Sequence, residues 1–276
     1  MANCISGEKK GRGMSNFTLG GSVGYIFGPA MAAFSVTTWG LGGIAIVLVP
    51  TIITSVVFFT LQKKFMDMSS ALQREAKEKA DFDGLRDDWP AFLRFSVSVF
   101  ARSIVHYAMQ TFIPLYWVSI LLQTQKQGSL MVTFMACAGL VGTFFGGRLA
   151  DRFGFRLVIR IAFAALFPTA IFLLMSKDVW MASLFAMLFM AASNAAHSPS
   201  VVLGQKYLPN HLGLASGVTL GLALSMGGIF SPLLGRIGDN YGLTATFYVL
   251  SGISIVAFLA SLLLKEPNSN TTVPEP

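Results

Sequence analysis

The stretch GGRLADRFGFRLVIR, residues 146–160, sets four arginines and one aspartate between two apolar runs. Charge this dense marks a boundary between hydrocarbon and water, because Arg or Asp at a bilayer centre costs roughly 2.5–3.5 kcal/mol on insertion scales. The flanking runs, about 128–148 and 156–176, are long enough to cross roughly 30 Å of hydrocarbon. A bilayer leaves backbone groups no water partner, so such runs must be helical. The turn is thus a rim joining two transmembrane helices.

Six further windows outward from the turn read the same way: about 17–36, 39–61, 92–122, 179–207, 211–235 and 243–264. The composition agrees, with 54% hydrophobic residues, 12% charged residues and a mean hydropathy of +0.64. The sequence predicts an all-α polytopic membrane protein with about eight transmembrane helices.

If loops alternate sides, one side holds Lys9, Lys10, Arg12, Lys63, Lys64, Arg74, Lys77, Lys79, Arg86, Arg148, Arg152, Arg156, Arg160, Lys206 and Lys265. The other holds Lys126, Lys177 and Arg236. This positive-inside bias predicts cytoplasmic termini, and it explains the net charge of +7 without nucleic acid. Cys4 and Cys137 are too few and too far apart for a disulfide framework. No metal cluster, nucleophile elbow or phosphate-cradling glycine loop occurs, so neither an enzyme nor a cofactor is expected.

Two stretches about 200 residues apart resemble each other. Thr18-Leu19-Gly20 matches Thr219-Leu220-Gly221, Ile26-Phe27-Gly28-Pro29 matches Ile229-Phe230-Ser231-Pro232, and Trp39-Gly40-Leu41 matches Tyr241-Gly242-Leu243. Internal duplication is a mark of secondary transporters. Helices one and two repeating as seven and eight imply a six-helix unit. Four counterparts then belong before the first helix, which predicts that roughly the first third of a twelve-helix protein is missing. A complete eight-helix protein is the competing explanation. The predicted units are a two-helix remnant over 1–65, a cytoplasmic linker over 66–90, a six-helix bundle over 91–265 and a disordered tail over 266–276.

Gly147-x-x-x-Asp151-Arg152-x-Gly154-x-Arg156 resembles the signature loop of the major facilitator superfamily. It also falls where that family carries it, between the second and third helices of a half. Leu157 stands where a further basic residue is common. The resemblance implies a latch that holds one conformation and breaks during alternating access. On physical grounds Asp151 suits a neighbouring helix N-terminus, and Arg152 and Arg156 suit carboxylates, carbonyls or lipid phosphates. Arg148 and Arg160 read as topological charges. Residues 204–239 resemble more narrowly the bacterial fosmidomycin-resistance-type exporters, implying proton-driven efflux of small molecules. A passive channel and a transport-inactive or regulatory membrane protein are the rivals.

Gly20, Gly24 and Gly28, ending at Pro29, recur every four residues, as do Gly213, Gly217 and Gly221. Such seams let helices pack closely in lipid. The first also resembles an antiporter signature of the same superfamily. Gly139, Gly142 and Gly146 form a looser series.

The third predicted helix carries Arg94, Ser98, Arg102, His106 and Gln110 at i, i+4 steps. Arg102 falls near the midplane, where a charge faces a water-filled cavity or a partner. As a cation it suits an anionic or phosphonate-like substrate, with His106 and Gln110 supplying hydrogen bonds. A structural ion pair with a carboxylate from missing helices is the alternative. The sixth helix adds Asn194, His197 and Ser198, with Pro199 loosening the helix beside them. His197 is either a titrating group or a packing histidine. The expected partners are the lipid bilayer, a small-molecule substrate and protons.

Overall fold

The computed structural model describes residues 10–40, 42, 45, 48–82 and 86–264, and excludes the side chains at 22–30, 32–34, 36–37, 65, 68–69 and 71–82. The predicted tail over 266–276 and Cys4 lie outside the described residues. The elements are α1 (Lys10–Trp39), α2 (Leu48–Phe82), α3 (Trp89–Ser119), α4 (Gln125–Phe153), α5 (Phe155–Met175), α6 (Val179–Ala195) and α7 (His197–Tyr207). They continue with α8 (Leu212–Ser216), a π-helical turn Gly217–Leu222, α9 (Ala223–Tyr241) and α10 (Leu243–Leu262). No strand occurs among the described residues.

Helix starts follow local chemistry. The Asp88 side chain accepts from the Ala91 amide at 3.0 Å ahead of α3, and Asp178 accepts from Met181 at 3.2 Å ahead of α6. Thr124 and Gln127 form a capping box at the start of α4. Gly154, at φ +92°, ends α4 and opens α5 in a single residue, a conformation that disfavours any side chain.

Among the described residues, five stretches are long and apolar enough to cross a membrane: Gln125–Phe153, Phe155–Met175, Val179–Tyr207, Leu212–Tyr241 and Leu243–Leu262. The other three windows fall on α1, α2 and α3, which are not among those five. On α3 the polar stripe lies within the helix and dilutes its apolar character.

The repeat reappears in the backbone. Lys10–Trp39 and Leu212–Tyr241 end 202 positions apart. Both terminate at a left-handed glycine, Gly40 at φ +68° and Gly242 at φ +85°.

Helix α3 lies at the centre of the packing, against α4, α9 and α10, while α6 packs between α4 and α5. Its buried face (Phe95, Val99, Val105, Met109, Ile113, Tyr116) joins Phe163, Phe189 and Phe247 in one apolar core. Helix α1 lies on α4 and α7. Helix α2 runs unbroken across the boundary expected at 65/66 as far as Phe82, and every described side chain from Leu48 to Ser70 is exposed.

The glycine seams need correction. A Cβ at Gly20, Gly213, Gly217 or Gly221 would meet nothing within 4 Å, so these glycines do not bring described helices together. A four-residue period marks a face but not what it faces. The surroundings of Gly24, Gly28 and Pro29 lie outside the described residues. The tight contacts belong instead to the series read as looser. A Cβ on Gly142 or Gly146 would collide with the carbonyl oxygens of Ala191 and Ala195, and one on Gly139 would lie 2.7 Å from the Asn194 amide nitrogen. Pro199 has no N–H to offer the Ala195 carbonyl four residues back. That carbonyl lies against Gly146, and the helix breaks at Ala196 between α6 and α7.

Arg160 is more than a topological charge. Its guanidinium donates to the carbonyl oxygens of Ser261 (3.1 Å), Leu262 and Leu264 (3.2 Å), clasping the C-terminus of α10. Arg148 folds back on its own helix, with its guanidinium over the Phe144 ring and donating to the Phe144 carbonyl at 2.8 Å.

Candidate functional site

A polar cluster is enclosed between α3, α6 and the start of α7. Arg102, the fourteenth residue of α3, is buried to 4% exposure. Its Nη1 donates to the Ser193 hydroxyl and carbonyl, each at 3.4 Å, and its Nη2 donates to Ser103 Oγ at 3.2 Å. The same Nη2 lies 3.4 Å from His197 Nδ1, and His106 Nδ1 lies 3.0 Å from Ser193 Oγ. Arg102 Nε is buried without a partner. No carboxylate among the described residues pairs with this guanidinium.

Of the five residues predicted to line a substrate site, Arg102, His106 and His197 are brought together. Gln110 lies one turn beyond His106 on the same face of α3 and is half-buried. Asn194 does not join them: its amide donates to the Met190 carbonyl of its own helix at 3.0 Å and lies against Gly139 of α4. Ser198 donates to Thr18 of α1 at 3.4 Å, and Arg94 is exposed near the start of α3.

Ser193 and Ser103 are functional candidates that the sequence reading missed. The spacing held the signal for Ser193. It precedes His197 by four residues and shares its face, whereas Asn194 is turned about 100° away.

The charged turn forms a second site, at one end of the molecule. Asp151 Oδ1 accepts from the Gly11 amide and Oδ2 from the Arg12 amide, both at 2.7 Å. The carboxylate therefore caps the first turn of α1, where the helix dipole favours an anion. The helices touch there because both are bare. A Cβ on Gly147 would strike the Gly11 carbonyl oxygen, and one on Gly11 would lie 2.5 Å from the Gly147 carbonyl oxygen. Ser15 of α1 adds a hydroxyl donated to the Thr143 carbonyl at 2.6 Å. Arg152 is exposed, 5.3 Å above the Phe153 ring, and Arg156 is half-buried with its Nε enclosed and unpartnered. The Lys206 ammonium sits 4.3 Å from the centre of the Phe155 ring. No group of three or more metal-ligating side chains gathers among the described residues.

The family model described as Major Facilitator Superfamily matches residues 1–232 and again 122–276. The overlap accords with an internally repeated sequence. The chain is similar to a Bacillus subtilis (strain 168) protein named uncharacterized MFS-type transporter YfnC, at 28% identity over 276 residues. It is similar also to the fosmidomycin resistance protein of Escherichia coli (strain K12), at 24% identity over 269 residues. Each alignment covers 95% of this chain and 65% of the relative, so the chain spans less than two thirds of the length of either. Apolar helices and a family match along the whole sequence lead to one assignment: the chain is an integral membrane protein belonging to the Major Facilitator Superfamily.

Proposed function

We propose that the protein acts in secondary active transport, exporting a small molecule by alternating access in a proton-coupled cycle. The carrying observation is the enclosed cluster of Arg102, Ser193, His106 and His197 inside a bundle whose other buried polar side chains, among the described residues, are all Ser or Thr. Burying a guanidinium without an ion partner is costly, and evolution retains such groups in membrane proteins chiefly along substrate or ion pathways. In this reading Arg102, His106 and His197 contact substrate, Gln110 extends the lining, and Asn194 supports the wall beside α4. One of the two histidines carries the coupling proton.

The turn at Gly147, Asp151, Arg152, Gly154 and Arg156 serves as the latch. Two short hydrogen bonds to the first turn of α1 hold one state and break when α1 moves off α4. The topology that goes with this reading has eight membrane crossings, cytoplasmic termini and a bacterial inner-membrane location, with units over 1–65, 66–90, 91–265 and 266–276. The fosmidomycin resistance name of one relative supports efflux of an antibiotic-like compound.

The test is efflux from cells or proteoliposomes. Arg102→Ala, at unchanged membrane abundance, should abolish transport. Wild-type rates in that variant would remove Arg102 from the site.

A further inference from the structure

The inference here rests on the transport-site reading and deepens it. We propose that Arg102 fixes the tautomers of both histidines, directly at His197 and through Ser193 at His106, so that the site offers only donors and selects an oxyanion. Ser193 is then a positioning residue and a determinant of specificity.

A guanidinium has five N–H donors and no acceptor. Arg102 Nη2 faces His197 Nδ1 at 3.4 Å, so that nitrogen accepts and the ring carries its proton on Nε2. Arg102 Nη1 donates in the same way to Ser193 Oγ. The Ser193 side chain is fully buried, and its hydroxyl has two hydrogen-bonding neighbours, Arg102 and His106. A buried hydroxyl that accepts from an arginine must place its own proton elsewhere. The acceptor in reach is His106 Nδ1 at 3.0 Å, so His106 also carries its proton on Nε2.

The donors left to a ligand are then Arg102 Nε, buried without a partner, and Nε2 of His106 and His197, which neither Arg102 nor Ser193 engages. A carboxylate, phosphate or phosphonate has only acceptors to offer and fits this set. An ammonium finds no acceptor there and meets the guanidinium charge. A neutral hydroxyl compound leaves its own proton unpaired.

The chain has three histidines, and His211→Gln leaves only the two in question. Nitrogen-15 NMR of the histidine-labelled full chain in lipid nanodiscs reads both tautomers. Both rings should show an unprotonated Nδ1 and a protonated Nε2 at neutral pH. Ser193→Ala should give His106 a mixed tautomer while His197 stays as it was, and Ser193→Thr should restore the wild-type pattern. Inorganic phosphate or acetate should shift both Nε2 signals, and tetramethylammonium at equal ionic strength should not. Phosphate binding should weaken about tenfold in Ser193→Ala, equivalent to roughly 1.4 kcal/mol.

An Nδ1–H tautomer on either wild-type ring overturns the inference, as does a His106 signal indifferent to Ser193→Ala. Equal responses to anion and cation, or none to either, overturn the selectivity. The transport reading fails on a different result, normal transport by Arg102→Ala, which has no bearing on the tautomers read in the wild-type chain.

Discussion

The carboxylate of Asp151 reaches across 140 positions of sequence to accept the backbone amide of Gly11 at 2.7 Å. Its second oxygen takes the next amide, that of Arg12. A side chain at the end of α4 thereby completes the first turn of α1, and docking α1 on α4 and capping it become one event.

Removing that cap should release α1. Asp151→Ala is expected to cost about 1–2 kcal/mol at the helix start, with Asp151→Asn intermediate because it keeps an acceptor but loses the charge. Hydrogen exchange of the first-turn amides of α1 measures this directly. Unchanged protection in Asp151→Ala would show that the cap contributes nothing.

The two kinds of glycine should respond oppositely to an added methyl. Gly142→Ala and Gly146→Ala drive a Cβ into backbone carbonyls of α6 and should each destabilise the bundle by about 1–3 kcal/mol. Gly213→Ala and Gly217→Ala meet open space and should leave thermal stability within about 0.5 kcal/mol of wild type. Equal sensitivity of both sets would contradict the packing described here.

Arg160→Ala removes a donor from three carbonyl oxygens at the end of α10, of which that of Ser261 keeps the Leu264 amide. A loss of about 1.5–3 kcal/mol is expected, the worth of a charge-assisted hydrogen bond. Partial recovery should follow in Arg160→Lys, whose point charge cannot fork across several acceptors. Denaturation in detergent reads the difference, and a neutral Arg160→Ala would return this residue to a purely topological role.

Pro199→Ala supplies the amide that the Ala195 carbonyl lacks and should draw α6 and α7 toward one continuous helix. His197, at the break, would then shift relative to Arg102. Transport should fall several-fold while thermal stability holds or rises, a pairing that loss of folding could not produce.

Several of these features were legible in the residues alone. The polar stripe of α3 needed only a four-residue period to place Arg102 and His106 on one face. The 202-residue displacement was visible as ordered Gly and Pro landmarks. Other features depend on which neighbour occupies a face, and one helix does not encode that. Asn194 and Ser193 are adjacent and both polar, and only the packed structure shows that Asn194 lies against Gly139 while Ser193 faces Arg102. The Arg160 clasp joins residues more than 100 positions apart through backbone carbonyls, which carry no sequence identity. The same holds for Gly11, unremarkable until Gly147 is set against it.

The chain distance from Arg102 to Ser193 has a consequence for biogenesis. Apart from Ser103, the acceptors for this guanidinium lie 91 and 95 residues downstream, at Ser193 and His197, so α3 is made long before those partners exist. At about 5–20 residues per second the interval is on the order of 5–20 s. During that time Ser103 is the acceptor within α3, and the Nη1 side of the guanidinium waits for Ser193. The enclosure of Arg102 is therefore a late event in synthesis, completed only when α6 emerges and closes over it.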